Sequence, residues 1–479
     1  MVSAGSVTLA ELVARRQETA SNDTALRVVG DRNAVVQDIT NDSRDARQGT
    51  LFCCVRGEHH DGHAFAAQAV DHGATALLVD HELPELRVPQ IVATDTRDAM
   101  GHLAAALFDN PSRSLTVVGV TGTNGKTTTA HMLGSILRRS GRATTVLGTL
   151  SGARTTPEAP ELQRTLADER AKGTSAVVME VSSHALSLKR VAGMRFAAVV
   201  FTNLGHDHLD FHRTHDAYFA AKASLFARGY AERGIVNRDD PYGRKIADAT
   251  DLPVVTYGRS DATAVDVAAE GSDFVWRGVR MHCALGGEFN VLNALAAATA
   301  AAELGVETPV IRSGLAELPP IPGRFQNVNP GGSFSVIVDY AHTPEALRNV
   351  IAAARDVSAT KRVIVVFGCG GDRDPSKRAE MGSAACAAER VVVTSDNPRH
   401  ENPQAIIDAI LSGIPADERA KVETLVDRRR AIALACASAG PGDVVVVAGR
   451  GHETMQAIGG TEVAFNDADV AREALEAAR

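Results

Sequence analysis

The stretch "GVTGTNGKTTTAHML", residues 119–133, follows the apolar run "SLTVV" and reads as a strand, a glycine-bearing turn and a helix that begins near Lys126. Such a turn aims backbone N–H groups, a helix N-terminus and a lysine at anionic oxygen, the chemistry that phosphate binding needs. A strict phosphate loop has four residues between its first glycine and the Gly-Lys pair. Here five separate Gly119 from Gly125, and Val120 stands where glycine is required. The physical parts are nonetheless present. Gly122 and Gly125 allow close backbone approach, Lys126 supplies a cation, and Thr127 offers a hydroxyl to Mg²⁺. A glycine-rich turn that binds nothing is the alternative.

Further along, "SAVVMEVSSHAL" sets Glu180 at the end of an apolar strand, where open α/β sheets present ligands. Beside a phosphate loop it suits a Mg²⁺ carboxylate; alone it would be an ordinary strand-end acid in water. "FTNLGHDHLDFH" ends another apolar run with His206, Asp207, His208, Asp210 and His212, a metal-capable group that could equally be a solvated polar turn. Periodicity alone makes Lys222, in "DAYFAAKASLF", an exposed helix lysine.

The elements that must position these residues are short β-branched runs ("ATALLVD", "LTVVGV", "SAVVMEV", "RVIVVFG", "RVVVTSD", "DVVVVAG") alternating with Ala-rich helical stretches such as "NALAAATAAAEL". That alternation predicts parallel, doubly wound α/β sheets. A chain of 479 residues exceeds what one core supports. The turn-rich joints "FDNPSRS" and "LPPIPGRFQ" divide it into three expected domains, 1–112, 113–322 and 323–479.

A net charge of -8 gives no general attraction to nucleic acid or anionic lipid. Aromatic content of 4% also argues against a base-stacking platform. The six cysteines form no C-x-x-C pair, so reduced thiols and a cytoplasmic protein are expected. No apolar run is long enough to span a membrane, and the N-terminus has no long apolar segment of the export type.

Taken in order, "GTNGKTT", "EVSSHAL", "TNLGHDHLDFH", "AAKASLF", "GEFNVLNALAA", "PGRFQ", "VDYAHTPEAL", "FGCGGDRD", "SDNPR" and "AGRGHE" resemble the Mur ligase family across nearly the whole chain. Within it they resemble the members that add the third peptide residue in peptidoglycan synthesis. The resemblance implies an ATP-dependent amide-forming ligase of three α/β domains. These are a smaller N-terminal UDP-binding domain, a central P-loop domain with a mostly parallel doubly wound sheet, and a Rossmann-like C-terminal domain for the amino acid.

It further implies that ATP is held by Gly122, Thr123, Asn124, Gly125, Lys126, Thr127 and Thr128, with Asn290 and Asn293, and with Arg324 and Asp339 arriving on domain closure. Mg²⁺, two ions in the family, falls to Thr127, Glu180 and His208, and to Lys222 as a carbamylated lysine; His342 joins Lys126, Lys222 and His208 among the expected catalytic residues. The UDP-muramoyl-dipeptide falls to Asn41, Ser43, Glu58, His59, His60, Thr155, Thr156, Ser182 and Arg190, and the amino acid to Arg373, Asp396, Asn397, Pro398, Arg399, Gly449 and Glu453. Leu188, where some relatives carry glutamine, and Arg154, where asparagine is frequent, depart from the pattern.

Carboxylate chemistry then dictates activation by ATP to an acyl phosphate, followed by attack of an amine. Arg399 offers a planar fork to a distal carboxylate, which favours meso-diaminopimelate over lysine. A monomer acting on small molecules is expected. A folylpolyglutamate synthase-like ligase, a P-loop switch ATPase and a binuclear metallohydrolase are the rivals. The first would not need the N-terminal "NDSRDARQGTLF" region, the second would not need the C-terminal motifs, and the third would leave the phosphate turn unexplained.

Overall fold

The computed structural model describes residues 5–19, 26–57, 60–205 and 207–477. Three large sheets follow one another along the chain. In the first, Arg27–Val29, Gln90–Val92, Ala76–Val79, Thr50–Cys53 and Asp38–Thr40 lie side by side, parallel except at the Arg27–Val29 edge. Helix Thr96–Leu107 packs its small residues beneath this sheet with Leu9 and Leu12 of helix Leu9–Thr19.

The central sheet orders its six strands Val254–Tyr257, Gly234–Asn237, Ala198–Phe201, Thr116–Thr121, Ala176–Glu180 and Thr144–Leu147, all parallel. Both faces of its inner strands are buried, which explains their unbroken Val runs. Register sets the chemistry. Glu180 pairs with Val120 and Phe201 with Thr121, so the loops after these three strands leave the same carboxyl edge together. Helix Glu288–Glu303 is apolar on nearly all sides because it is enclosed. It lies on Lys126–Arg139 with alanines in place of bulk, and both helices share one core.

A three-stranded antiparallel sheet, Ala262–Val267, Ser272–Trp276 and Val279–Cys283, completes the central region and departs from the parallel expectation. Its second hairpin turns on Arg277 and Gly278, with φ of 50° and 75°, the positive pair that a tight two-residue hairpin requires.

The third sheet runs Gln326–Asn327, Ser335–Asp339, Val444–Ala448, Val363–Phe367, Arg390–Thr394 and Val422–Leu425, parallel but for the first strand. Below it Arg428 and Asp467 form an ion pair at 2.7 Å with both side chains 0% exposed. All six cysteines are free thiols; five are buried and Cys386 is half-buried. Burial raises every one, Cys54, Cys283 and Cys369 to about 12 and Cys436 to about 11. Among the described residues no helix is long and apolar enough to cross a membrane.

Candidate active site

The helix Lys126–Arg139 starts at the lysine the sequence singled out, with Gly125 at its N-cap in the left-handed region, φ 83°. A Cβ on Gly125 would come within 2.4 Å of Asn293 Oδ1, and one on Gly122 within 1.9 Å of Thr202 Oγ1. Both positions therefore need glycine for space as well as for conformation. Asn203 braces the loop from the next strand: its carbonyl accepts from Thr123 N–H at 2.8 Å and its Oδ1 from Asn124 N–H at 2.9 Å. The first-turn N–H groups of the helix have no intrahelical acceptor and are the donors an anion would meet.

Lys126 Nζ donates to the carbonyls of Gly122 (2.9 Å) and Thr123 (2.8 Å), and burial lowers its pKa. Lys222 is the larger surprise. Far from being an exposed helix lysine it is 1% exposed, and its Nζ donates to the same Gly122 carbonyl at 2.7 Å. Desolvation and the neighbouring Lys126 hold its pKa well below the usual lysine value, favouring a neutral, nucleophilic amine. Helix His215–Ala223 also brings Tyr218, one turn earlier, whose ring lies 4.6 Å from Lys222 Nζ and whose hydroxyl meets Thr123 Oγ1 at 2.9 Å. The Tyr218–Lys222 spacing of one helical turn puts the two side chains on one face of the helix, but does not by itself mark that face as inward.

Glu180, 2% exposed, accepts Thr127 Oγ1 at 2.9 Å and Thr149 N–H at 2.8 Å. Thr127 in turn accepts from Arg324 Nη2 at 3.1 Å, and the Arg324 guanidinium lies 4.5 Å over the Tyr340 ring. The third sheet's arginine thus already touches the phosphate loop of the second. Asp339, expected beside ATP, lines the same cavity but spends both oxygens on backbone, accepting from Phe325 N–H (2.7 Å) and Ala341 N–H (2.8 Å). It fixes the turn that carries Arg324. His342 lines the cavity too, with Nδ1 at 3.0 Å from the Tyr340 carbonyl; burial lowers its pKa.

Of the histidine-rich run, Asp207 and His208 reach the cavity, which has a volume of about 460 Å³. Burial pushes His208 down to about 4, leaving a neutral imidazole at physiological pH. His212 is turned away onto Ser183 Oγ at 2.9 Å, and Asp210 is exposed. His206 lies outside the described residues, as do Glu58 and His59. Thr123 to Thr128, Thr155, Ser182 and Asn293 join the lining, together with Asn203, Glu345 and Asn349, which the sequence reading had not named. Asn290 stands behind, its Oδ1 accepting from Asn293 Nδ2 at 3.0 Å.

Other expected residues lie around this cleft. Thr156 Oγ1 donates to the Glu180 carbonyl at 2.9 Å, while Arg190 donates to the Thr156 carbonyl at 3.2 Å and pairs with Glu158 at 2.8 Å, so it shapes the loop beside the cavity. Asn41 and Ser43 are in the first sheet's region, where Ser43 Oγ donates to Gln68 Oε1 at 3.1 Å; His60 is exposed there. Around the third sheet's carboxyl edge, Gly449 N–H donates to the Asp339 carbonyl at 3.1 Å, and Asn397 Nδ2 donates to Glu453 Oε2 at 2.7 Å. Asp396 is buried next to Gly449, Pro398 is buried, and Arg373 is exposed. Arg399 is half-buried with φ 51° and donates Nη1 to the Gly371 carbonyl at 2.6 Å.

A nucleotide-cradling loop, a buried carboxylate and an arginine from a second α/β sheet define a class of phosphoryl-activating ligase clefts. Three family models match in order: the Mur ligase family, catalytic domain, over residues 35–107; the Mur ligase middle domain over 120–301; and the Mur ligase, glutamate ligase domain over 323–451. The chain belongs to the Mur ligase family. It is 43% identical over 463 residues, 92% of this chain and 94% of the relative, to a UDP-N-acetylmuramoyl-L-alanyl-D-glutamate–2,6-diaminopimelate ligase of Syntrophomonas wolfei. It is 42% identical to the ligase of that name from Streptomyces coelicolor, over 93% of this chain and 94% of the relative. A solved structure of a ligase of the same name superposes with a TM-score of 0.68 at 30% identity, covering 98% of this chain and 99% of that one.

Proposed function

We propose that this protein is the ATP-dependent ligase that joins meso-2,6-diaminopimelate to UDP-N-acetylmuramoyl-L-alanyl-D-glutamate in peptidoglycan precursor synthesis. The observation that carries the reading is the hydrogen-bonded series Glu180–Thr127–Arg324, which ties the phosphate loop to the third sheet across one cavity. Full-length relatives of that name supply the substrates. Residues 1–112 act as the UDP module, 113–322 as the ATP module and 323–479 as the amino-acid module. A single chain is the working unit and the reaction is cytoplasmic.

The residues present fit ATP and Mg²⁺: a loop whose two glycines leave no room for a Cβ, two lysines on one carbonyl, and a hydroxyl paired to a buried carboxylate. Thr127, Glu180 and His208 would hold Mg²⁺, which supplies charge neutralisation for the phosphoryl oxygens. Lys126 and the helix N–H groups bind and orient the triphosphate, and Arg324 covers it. The glutamyl carboxylate attacks the γ-phosphoryl and ADP leaves, giving an acyl phosphate. The amine of diaminopimelate attacks that acyl carbon, loses a proton, and phosphate departs. His342 and Tyr340 close the cavity against water. Lys222, its pKa lowered by burial and by Lys126, is suited to adding CO₂ through its neutral amine, forming an N–C bond with loss of one proton to leave a carbamate facing Lys126 and the metal groups.

The test is phosphate release with ATP and Mg²⁺ while each substrate is omitted in turn. Release that requires both the muramoyl-dipeptide and diaminopimelate, and is weak with lysine, is the expected result. Equal release without an amine refutes the ligase reading, and preference for lysine refutes the substrate.

A further inference from the structure

Away from the ATP cavity, at the end of strand Ala76–Val79, two histidines converge on one carboxylate. His63 Nε2 lies 3.2 Å and His81 Nδ1 2.5 Å from the same Asp80 Oδ1. Their rings stack with centroids 4.8 Å apart, and one donor atom from each of His63, Asp80 and His81 lies within 4.8 Å of the others. We propose that His63, Asp80 and His81 form a binding site for a borderline divalent transition ion of the zinc class.

The argument starts from the proton on His63. Its Nδ1 is 2.6 Å from Asp61 Oδ1, and that carboxylate also caps the short turn Gly62–Phe65 by accepting His63 N–H at 3.0 Å. Asp61 therefore keeps the proton on Nδ1 and leaves Nε2 as a lone pair, which accepts Asp80 N–H at 3.3 Å. That amide contact is long, and Asp80 Oδ1 lies 3.2 Å from the same Nε2, so a cation that displaced the amide would meet the imidazole nitrogen and the carboxylate oxygen together. A carboxylate that fixes the far nitrogen of a ligating histidine is the usual outer partner of a metal-bound imidazole.

Charge and access agree. Asp61 and Asp80 face one guanidinium, Arg56, whose Nε is 2.8 Å from Asp80 Oδ2 and 3.8 Å from Asp61 Oδ2, so the carboxylates outnumber the guanidinium. The His63 side chain is 8% exposed and preorganised, whereas that of His81 is 56% exposed and free to adjust on the solvent side. Two imidazole nitrogens and one carboxylate oxygen select zinc, cobalt(II) or nickel(II) over magnesium or calcium, and three protein ligands leave a fourth position for water.

The experiment uses the full-length protein, freed of metal with a chelator and kept in excess Mg²⁺. Co²⁺ is titrated by its visible absorption and displaced with Zn²⁺, in wild type, His81→Ala and the near-isosteric Asp80→Asn. Wild type should bind one equivalent more than either variant, or bind it at least tenfold more tightly. One equivalent of Zn²⁺ should also shift the His63 and His81 ring resonances. Because His81 is on the surface, His81→Ala should keep its circular dichroism and its Mg²⁺-dependent activity. Equal stoichiometry and affinity in all three proteins, or ring resonances that Zn²⁺ leaves unmoved, would overturn the assignment.

Discussion

Replacing Lys222 with methionine should stabilise the protein while abolishing ligation. In the unfolded chain this amine is protonated below its ordinary value of 10.5; in the fold, at 1% exposure beside Lys126, it is held well below that value. The unfolded state therefore binds more protons from the folded pKa up to 10.5, and the wild type gains stability as pH rises through that window. At about pH 7.5 the penalty is capped by the cost of removing the proton, three pH units or about 4 kcal/mol. Methionine forfeits the bond to the Gly122 carbonyl, roughly 1 kcal/mol, leaving a net gain of up to about 3 kcal/mol. For a domain of this size that is roughly 6 to 12 °C in melting temperature. At about pH 9.5 the cap falls to about 1.4 kcal/mol and the advantage should nearly vanish. Thermal unfolding of both proteins in CO₂-free buffer at the two pH values is the assay. A methionine variant that melts no higher than wild type at the lower pH, or whose advantage does not shrink at the higher, refutes the account of a buried, proton-shedding amine.

Lys126→Ala should lower kcat more than tenfold, since loss of only about 1.4 kcal/mol of transition-state stabilisation suffices; steady-state phosphate release measures it. Gly122→Ala forces a Cβ to within 1.9 Å of Thr202 Oγ1 at φ 148° and should cost about 1 to 3 kcal/mol in urea unfolding together with weaker ATP binding. Arg399→Ala should cut kcat/KM for diaminopimelate by roughly thirtyfold to several thousandfold, the loss of about 2 to 5 kcal/mol from an unpaired carboxylate, while lysine use falls far less. An equal loss for both amino acids would withdraw Arg399 from specificity. Asp467→Ala strands the fully buried Arg428 and should destabilise by about 3 to 5 kcal/mol, read by denaturant titration.

Where local pattern dictates structure, the sequence was readable. The turn and helix at Lys126, and Glu180 at its strand end, follow from short-range spacing and apolar runs. Lys222 was not readable in that way, because its burial is decided by where a whole helix docks. Nothing within "DAYFAAKASLF" says that its Tyr218–Lys222 face meets the Gly122 carbonyl. Asp339, expected beside ATP from its motif, lines the cavity, and its bonds to backbone donors two residues on and fourteen residues back are a feature no local pattern announces. The antiparallel sheet over residues 262–283 escaped for a third reason. Its strands are short and alternate core residues such as Phe274, Trp276 and Met281 with exposed polar ones around the Arg277–Gly278 turn, a period-two pattern unlike the unbroken β-branched runs of the parallel sheets.

The thiols carry a practical consequence. With all six raised by burial, and five of them shielded from solvent, wild-type protein should react slowly with maleimides and other thiolate-seeking electrophiles near neutral pH. A cysteine engineered onto each of two domains would then be the fast-reacting pair without prior removal of the native ones. Spin labels or fluorophores attached there could follow the separation between Arg324 and the phosphate loop during turnover, in a protein whose interior remains that of the natural sequence.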